Sequence, residues 1–369
     1  KRVDYSYLKS SVVNRPNAQA IIINGDCAVS QRSTSETGKT GSGIYTVDRM
    51  ALGIDSLGTW TVAQESLTSG NAFANGFTKA FRIDCTTANA SPSASNNIFF
   101  QYKLEGNSVQ AFKKGTANAE KFTLSFWVKS NKTGTAQVLL QDKDNSRNVG
   151  ATYSISSANT WEQKVLNFPA DTTGAFGNDN NKSLEIEWSI DAGTDFTSGT
   201  LPATWTTANN NQRSVNDLAL GDNTANDWAI TGIQLEVGEY TSSTLPPFQH
   251  ESYAENLRRC QRYYYLHAEG TPVSIGVGNS TTTSDGQLPI NFPTAMRTLA
   301  TIEVVSGTNY YKAWRNNGTD EYDGLGAGNG GSVNQIMLGS FSNFSTTVGT
   351  SFWTRTNNAS AKVAFSAEL

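Results

Sequence analysis

The stretch "FTLSFWVKS", Phe122–Ser130, decides the class of fold. Successive side chains of a strand point to opposite faces, so Phe122, Leu124, Phe126 and Val128 share one face and Thr123, Ser125, Trp127 and Lys129 the other. The first set predicts a core face. Moving outward, "LEIEWSI" repeats the period of two: Leu184, Ile186, Trp188 and Ile190 alternate with Glu185, Glu187 and Ser189. This is the half-buried antiparallel pattern, and it predicts that both acids face solvent. Further runs of the same kind, among them "TWTVAQES", "KAFRIDC", "IFFQYKLEG", "WEQKVLNF" and "WAITGIQLEVG", bring the total to about nine strands. Together they predict a β-sandwich over residues 20–249. Residues 1–19 show no sustained period and contain an Arg-Pro step that disfavours helix, so they read as an arm or connector.

Composition agrees with an all-β chain. Charged residues make up 16% of 369, against roughly 25% in an average soluble protein, and Asn, Ser, Thr and Gly fill the gap. Short strands and turns are favoured over long helices. The net charge of −4 supplies no field for polyanions, and no block of five or six like charges occurs. Nucleic acid is therefore not expected as a partner. No apolar run approaches the roughly 18 to 20 residues that span a bilayer, so membrane insertion is not expected either. Cys27, Cys85 and Cys260 are too far apart in sequence to read as a zinc site or a disulfide framework, and three free thiols are expected.

The texture changes once. After "STLPPFQ" comes "SYAENLRRCQRYYYL", where Ser252 and Glu255 form a capping box and Tyr253, Leu257, Cys260 and Tyr264 recur at helical spacing. The spacing predicts a linker helix over 250–266, with those four residues as its apolar stripe. Beyond it, seven short β-like runs from "TPVSIGVGN" to "AKVAFSAEL" predict a smaller C-terminal β-sandwich domain over 267–369.

Several of these stretches resemble the distal parts of bacteriophage tail fibres and related virion appendages. They are "IINGDCAVSQRST", "YTVDRM", "FFQYKLEG", "FTLSFWVKS", "TWEQKVLNF", the long segment Trp228–Tyr265 and the closing "VAFSAEL". The resemblance implies that the first domain is a carbohydrate-binding-module-like jelly roll and that the "CQRYY" segment leads into a distal trimeric tip. It also implies a homotrimer in the virion, joined to other virion proteins through its N-terminal side and contacting host cell-surface polysaccharide. Modules of this kind often hold a structural calcium, and Asp26 and Glu236 are the nearest candidates by that resemblance. No other cofactor is implied.

For glycan contact, aromatic faces and planar polar groups are needed where a sugar can reach them. The segment "NYYKAWRNNGTDEYDG" offers Tyr310, Trp314, Arg315, Asp320 and Tyr322; Trp205, in "LPATWTTANNNQ", is a further candidate. No catalytic residue is assigned. Cys260 and His267 are seven residues apart, roughly 10 Å along a continuous helix, too far for a nucleophile and its base. Glu185 and Glu187 have the spacing of a hydrolytic carboxylate pair but also of an ordinary solvated face. The function expected is recognition of host glycan by a phage structural protein. A virion-borne polysaccharide depolymerase and a decoration protein without a receptor role are the alternatives.

Overall fold

The computed structural model describes residues 19–316 and 318–369. The connector at residues 1–19 lies almost wholly outside them. The chain divides into two compact units, one running to Tyr253 and the other Ala254–Leu369.

The first unit has twelve strands among the described residues: β1 (Ser35–Lys39), β2 (Ala51–Asp55), β3 (Thr59–Ser66), β4 (Lys79–Thr87), β5 (Asn97–Glu105), β6 (Phe122–Ser130), β7 (Gly134–Asp142), β8 (Arg147–Ile155), β9 (Glu162–Phe168), β10 (Lys182–Ala192), β11 (Thr206–Thr207) and β12 (Asp227–Val237). They form two antiparallel six-stranded sheets, in the orders β1-β3-β4-β12-β6-β9 and β11-β8-β7-β10-β5-β2. Apolar residues from the two sheets meet between them. Phe122, Leu124, Phe126 and Val128 of β6 are fully buried there, as are Leu184, Ile186, Trp188 and Ile190 of β10. The ring of Phe100 lies 4.9 Å from Phe81, 5.0 Å from Trp188 and 5.4 Å from Trp228, tying four strands of both sheets into one cluster. Full burial of side chains of this size contributes roughly 1.5–3 kcal/mol each. The three cysteines are free and buried.

The other face of β10 departs from the sequence expectation. Glu185 is 3% and Glu187 1% exposed, so the acids do not face solvent. The chain between β10 and β12 returns across this face. Arg213 donates to both carboxylate oxygens of Glu187, at 2.9 and 2.6 Å. Gln101 Nε2 donates to Glu185 and Glu187, and Lys182 Nζ to Glu185 at 2.6 Å. Gln137 and Asn148 donate to Gln212 of the same returning segment. A period of two shows which residues share a face but not whether another segment covers it.

The helix Tyr253–Cys260, shorter than the spacing predicts, begins at the last residue of the first unit and runs into the second. Ten strands follow: β13 (Tyr264–Glu269), β14 (Ser274–Ser280), β15 (Gly286–Asn291), β16 (Thr301–Val305), β17 (Tyr311–Arg315), β18 (Gly318–Tyr322), β19 (Gly324–Gly331), β20 (Gln335–Ser342), β21 (Ser351–Thr356) and β22 (Lys362–Ser366). They make a three-stranded sheet, β13-β22-β16, and a seven-stranded one, β18-β17-β21-β14-β15-β20-β19. The all-β reading with a smaller second β domain therefore holds.

The helical stripe does not hold as drawn. Tyr264 opens β13 opposite Ser366 of the last strand, and Ala367 N donates to the Tyr263 carbonyl at 2.7 Å. Consecutive tyrosines suit a pleated, half-buried surface, and pairing with β22 prevails over the helical period here. Within the helix, the buried positions are Asn256 and Cys260, while Leu257 is half-buried and Tyr253 is 59% exposed. No helix among the described residues is long and apolar enough to cross a membrane.

Candidate functional site

Strands β17 and β21 run side by side in the seven-stranded sheet, and their alternation sorts their residues cleanly. Tyr311 and Ala313 of β17, with Phe352, Thr354 and Thr356 of β21, are buried. Lys312 and Trp314, with Ser351, Trp353 and Arg355, point the other way. On this outer face Trp353 is 39% exposed, while Lys312, Trp314 and Arg355 are half-buried.

Register brings the outward residues together. Trp314 pairs with Trp353 and Lys312 with Arg355. The two indole rings lie 4.8 Å apart at 35°. The Arg355 guanidinium carbon sits 4.3 Å from the Trp314 ring centre, and Lys312 Nζ 5.6 Å from it. On one flank, Glu321 of β18 accepts from Lys312 Nζ at 3.0 Å. On the other, Trp353 Nε1 donates to Ser274 Oγ of β14 at 2.8 Å, and Ser351 Oγ to Asn279 Oδ1 at 2.7 Å. Val277, 63% exposed, stands opposite Trp353 and extends the apolar strip. Two indoles are thus fixed on a rigid sheet by packing, stacking and an indole hydrogen bond. The charges of Lys312, Arg355 and Glu321 and the amide of Asn279 border them. The surface offers a tilted pair of indoles plus donors and acceptors at its rim.

Of the sequence candidates in this segment, only Trp314 belongs to the platform. Tyr322 is fully buried, stacked on Tyr311 at 5.5 Å, with its hydroxyl 2.6 Å from Thr354 Oγ1. Burial raises its pKa, and that of Tyr311 to about 12, as expected of core phenols. Tyr322 is thereby corrected from ligand contact to core residue. Asp320 faces the opposite way from Trp314 and accepts from Ser345 N at 2.7 Å. Tyr310 is half-buried against the core of this unit, and Arg315 is half-buried at the end of β17. The residues that sequence reasoning missed are Trp353 and Arg355. Their signal was available: "SFWTRT" alternates Phe352 and Thr354 with Trp353 and Arg355.

Trp205 is also corrected. It is 8% exposed, donates from Nε1 to the Pro169 carbonyl at 2.8 Å and packs 5.8 Å from Phe122, so its ring closes the end of the first core. Asp26 and Glu236 make different hydrogen bonds. Ile233 N donates to the carbonyl of Gly25, which places Asp26 beside the middle of β12, with Glu236 three residues away, about 10 Å along a strand. Asp26 Oδ1 faces Ala28 N, and Glu236 accepts from Gln234. No group of three or more His, Cys, Asp or Glu able to hold a metal occurs among the described residues.

Fold and surface together define an all-β protein of two units, a twelve-stranded sandwich followed by a smaller β domain with an open aromatic face. Among solved structures it is similar to the enzymatically active domain of tailspike protein 4 from bacteriophage CBA120, at 13% identity and a TM-score of 0.29, over 59% of this chain and 21% of that one. It is also similar to the CBM22-1–GH10 modules of a Clostridium thermocellum endo-1,4-β-D-xylanase complexed with xylohexaose, at 13% identity and a TM-score of 0.27, over 55% of this chain and 29% of that one. A third is the family 11 carbohydrate-binding module of a C. thermocellum cellulosomal cellulase, at 10% identity and a TM-score of 0.26, over 55% of this chain and 99% of the module. The chain thus spans less than a third of the first two proteins. No protein-family model matches the sequence, and the comparison with curated proteins found no match.

Proposed function

We propose that this protein recognises a glycan and holds it on the open face of its second unit, with Trp314 and Trp353 as the stacking platform. The observation that carries this reading is the indole pair itself, 4.8 Å apart on an outer sheet face where Trp353 and Val277 are exposed, and bordered by Lys312, Arg355 and Glu321. The C–H face of a pyranose is apolar while its hydroxyls need donors and acceptors, and this surface supplies both side by side. Because the platform stands on strands, little side-chain freedom is lost on binding. The finer reading is a homotrimeric appendage of a tailed-phage virion that adsorbs to host surface polysaccharide. The sequence resemblance through Trp228–Tyr265 supports it, and threefold display would raise a weak single-site affinity through effective concentration.

The work proposed is binding. Glu185 and Glu187, the pair that hydrolysis would use, are held by Arg213, Lys182 and Gln101 beneath a returning segment. The test is to present purified chain with bacterial surface polysaccharides, measure binding, and assay the same mixtures for reducing ends. Saturable binding without release of reducing ends is expected. Release that persists in Glu185→Ala and Glu187→Ala variants would place a hydrolytic site elsewhere and overturn the non-catalytic reading. A lack of binding across the panel would overturn glycan recognition.

A further inference from the structure

At one end of the first sandwich, the side chain of Lys114 is wholly buried, with 0% exposure. Its ammonium is surrounded by oxygen. Asp142 Oδ2 lies at 2.5 Å, the Gly174 carbonyl at 2.8 Å, the Thr173 carbonyl at 2.9 Å and Asp171 Oδ2 at 3.0 Å. An ammonium has three protons to donate, and four oxygens stand within hydrogen-bonding distance. Two are carboxylate and two are main-chain carbonyl, the donor types that hard cations take. The rings of Trp205 and Phe176, at 5.0 and 5.3 Å from Nζ, close the remaining sides.

The cage is built by three separate stretches of chain and is firmly braced. Asp142 Oδ1 accepts from the backbone of Asp144 and Asn145 at the tip of the β7–β8 hairpin. Asp171 accepts from Arg147 through both carboxylate oxygens and from Thr173 N. Burial alone would raise the Asp171 carboxyl, but the hydrogen bonds from Arg147 and Lys114 outweigh it and hold the group below its ordinary value. Gly115, at φ +80°, donates its N–H to the Asp171 carbonyl, and a Cβ there would come within 2.4 Å of Ala175 N. Gly174, at φ +72°, is equally confined against Asn145. The oxygens are therefore positioned by the loops themselves and do not depend on Lys114 to aim them.

We propose that this cage is a cation-binding site whose ligand is the chain's own Lys114 ammonium. The loops at this end of the sandwich are then assembled without any dissolved ion. When the ammonium is removed, the same oxygens take a hard divalent or trivalent cation, with water entering the vacated lysine channel to complete its shell. Ca²⁺ requires six to eight oxygens at about 2.3–2.6 Å, so the cage supplies the protein half of such a set after a small contraction.

The test uses the full chain and its K114A variant. The melting temperature of the wild-type first unit should be the same in EDTA and in CaCl₂; a rise in CaCl₂ or a fall in EDTA would overturn the proposal. In EDTA, K114A should melt on the order of 10 °C lower, as expected when a buried ion pair loses one partner. CaCl₂ should recover a large part of that loss. A K114A chain that unfolds in EDTA and folds in CaCl₂ would also support the site, and one that stays unfolded in both would contradict it. Terbium provides a direct readout because Trp205 adjoins the cage. K114A should show tryptophan-sensitised Tb³⁺ emission saturating at one ion per chain, and K114A/D171N and the wild type should not. A folded K114A with neither saturable emission nor a CaCl₂ shift would refute the assignment.

Discussion

Two outer sheet faces in this protein carry the same kind of pattern and meet opposite fates. On β10, Glu185 and Glu187 alternate with core residues and lie buried under the segment that holds Arg213. On β17 and β21, Lys312, Trp314, Trp353 and Arg355 also alternate with core residues, and the face stays open. The first face turns its polar groups inward as a bonded network, and the second presents an aromatic pair to solvent. The difference does not arise from the strands. It comes from whether the following connection is long and returns, as between β10 and β12, or only two residues long, as between β17 and β18. Chemistry that looks available in sequence is spent on structure in the first case and remains available in the second.

The largest effect that would sharpen this contrast lies on the covered face. Arg213→Ala leaves Glu187 buried without its two-pronged partner, and breaking such a pair costs about 3–5 kcal/mol. Denaturant unfolding of the first unit should show that loss, with glycan binding by the intact second unit unchanged. A variant of ordinary stability would mean that the returning segment does not hold this face closed.

A smaller effect comes from the far end of the same strand. Asp191 lies beyond a register shift that follows Ser189, opposite Ile98, and accepts from Gly221 N at 2.8 Å. Burial, then the nearby Asp217 and Asp222 against Lys132, raise its pKa from 3.8 to about 7. Burial raises Asp217 as well. A carboxyl whose pKa is higher in the folded chain binds its proton preferentially there. Its contribution is complete below about pH 4 and is lost as pH rises through about 7. The first unit should therefore melt progressively lower between about pH 4 and 7, and Asp191→Asn should flatten much of that slope. An unchanged slope in Asp191→Asn would show that the carboxyl is solvated and this end of β10 less closed than described.

Much of the architecture was legible because its signals are local. Alternation in "FTLSFWVKS" and "LEIEWSI" identified the core residues of β6 and β10, and the second β domain followed from its short runs. The misread parts depend on contacts distant in sequence. Tyr264 left the helical stripe because Ser366, about a hundred residues later, pairs with it. Trp205 was drawn inward by Phe122 and Pro169, and Glu187 by Arg213. Trp314 was identified from its company of aromatics, whereas Trp353 completes the platform only through strand pairing between β17 and β21. Segment-by-segment reading had no means of joining them.

The measurement that bears most directly on the account is a calorimetric titration of a bound polysaccharide fragment into the full chain and into a Trp314→Ala/Trp353→Ala variant, with unfolding of both followed in parallel. The account predicts at least about a tenfold loss of affinity, some 1.4 kcal/mol, while the first unit melts as in the wild type and the oligomeric state is unchanged. Equal affinity in the folded double variant would contradict it.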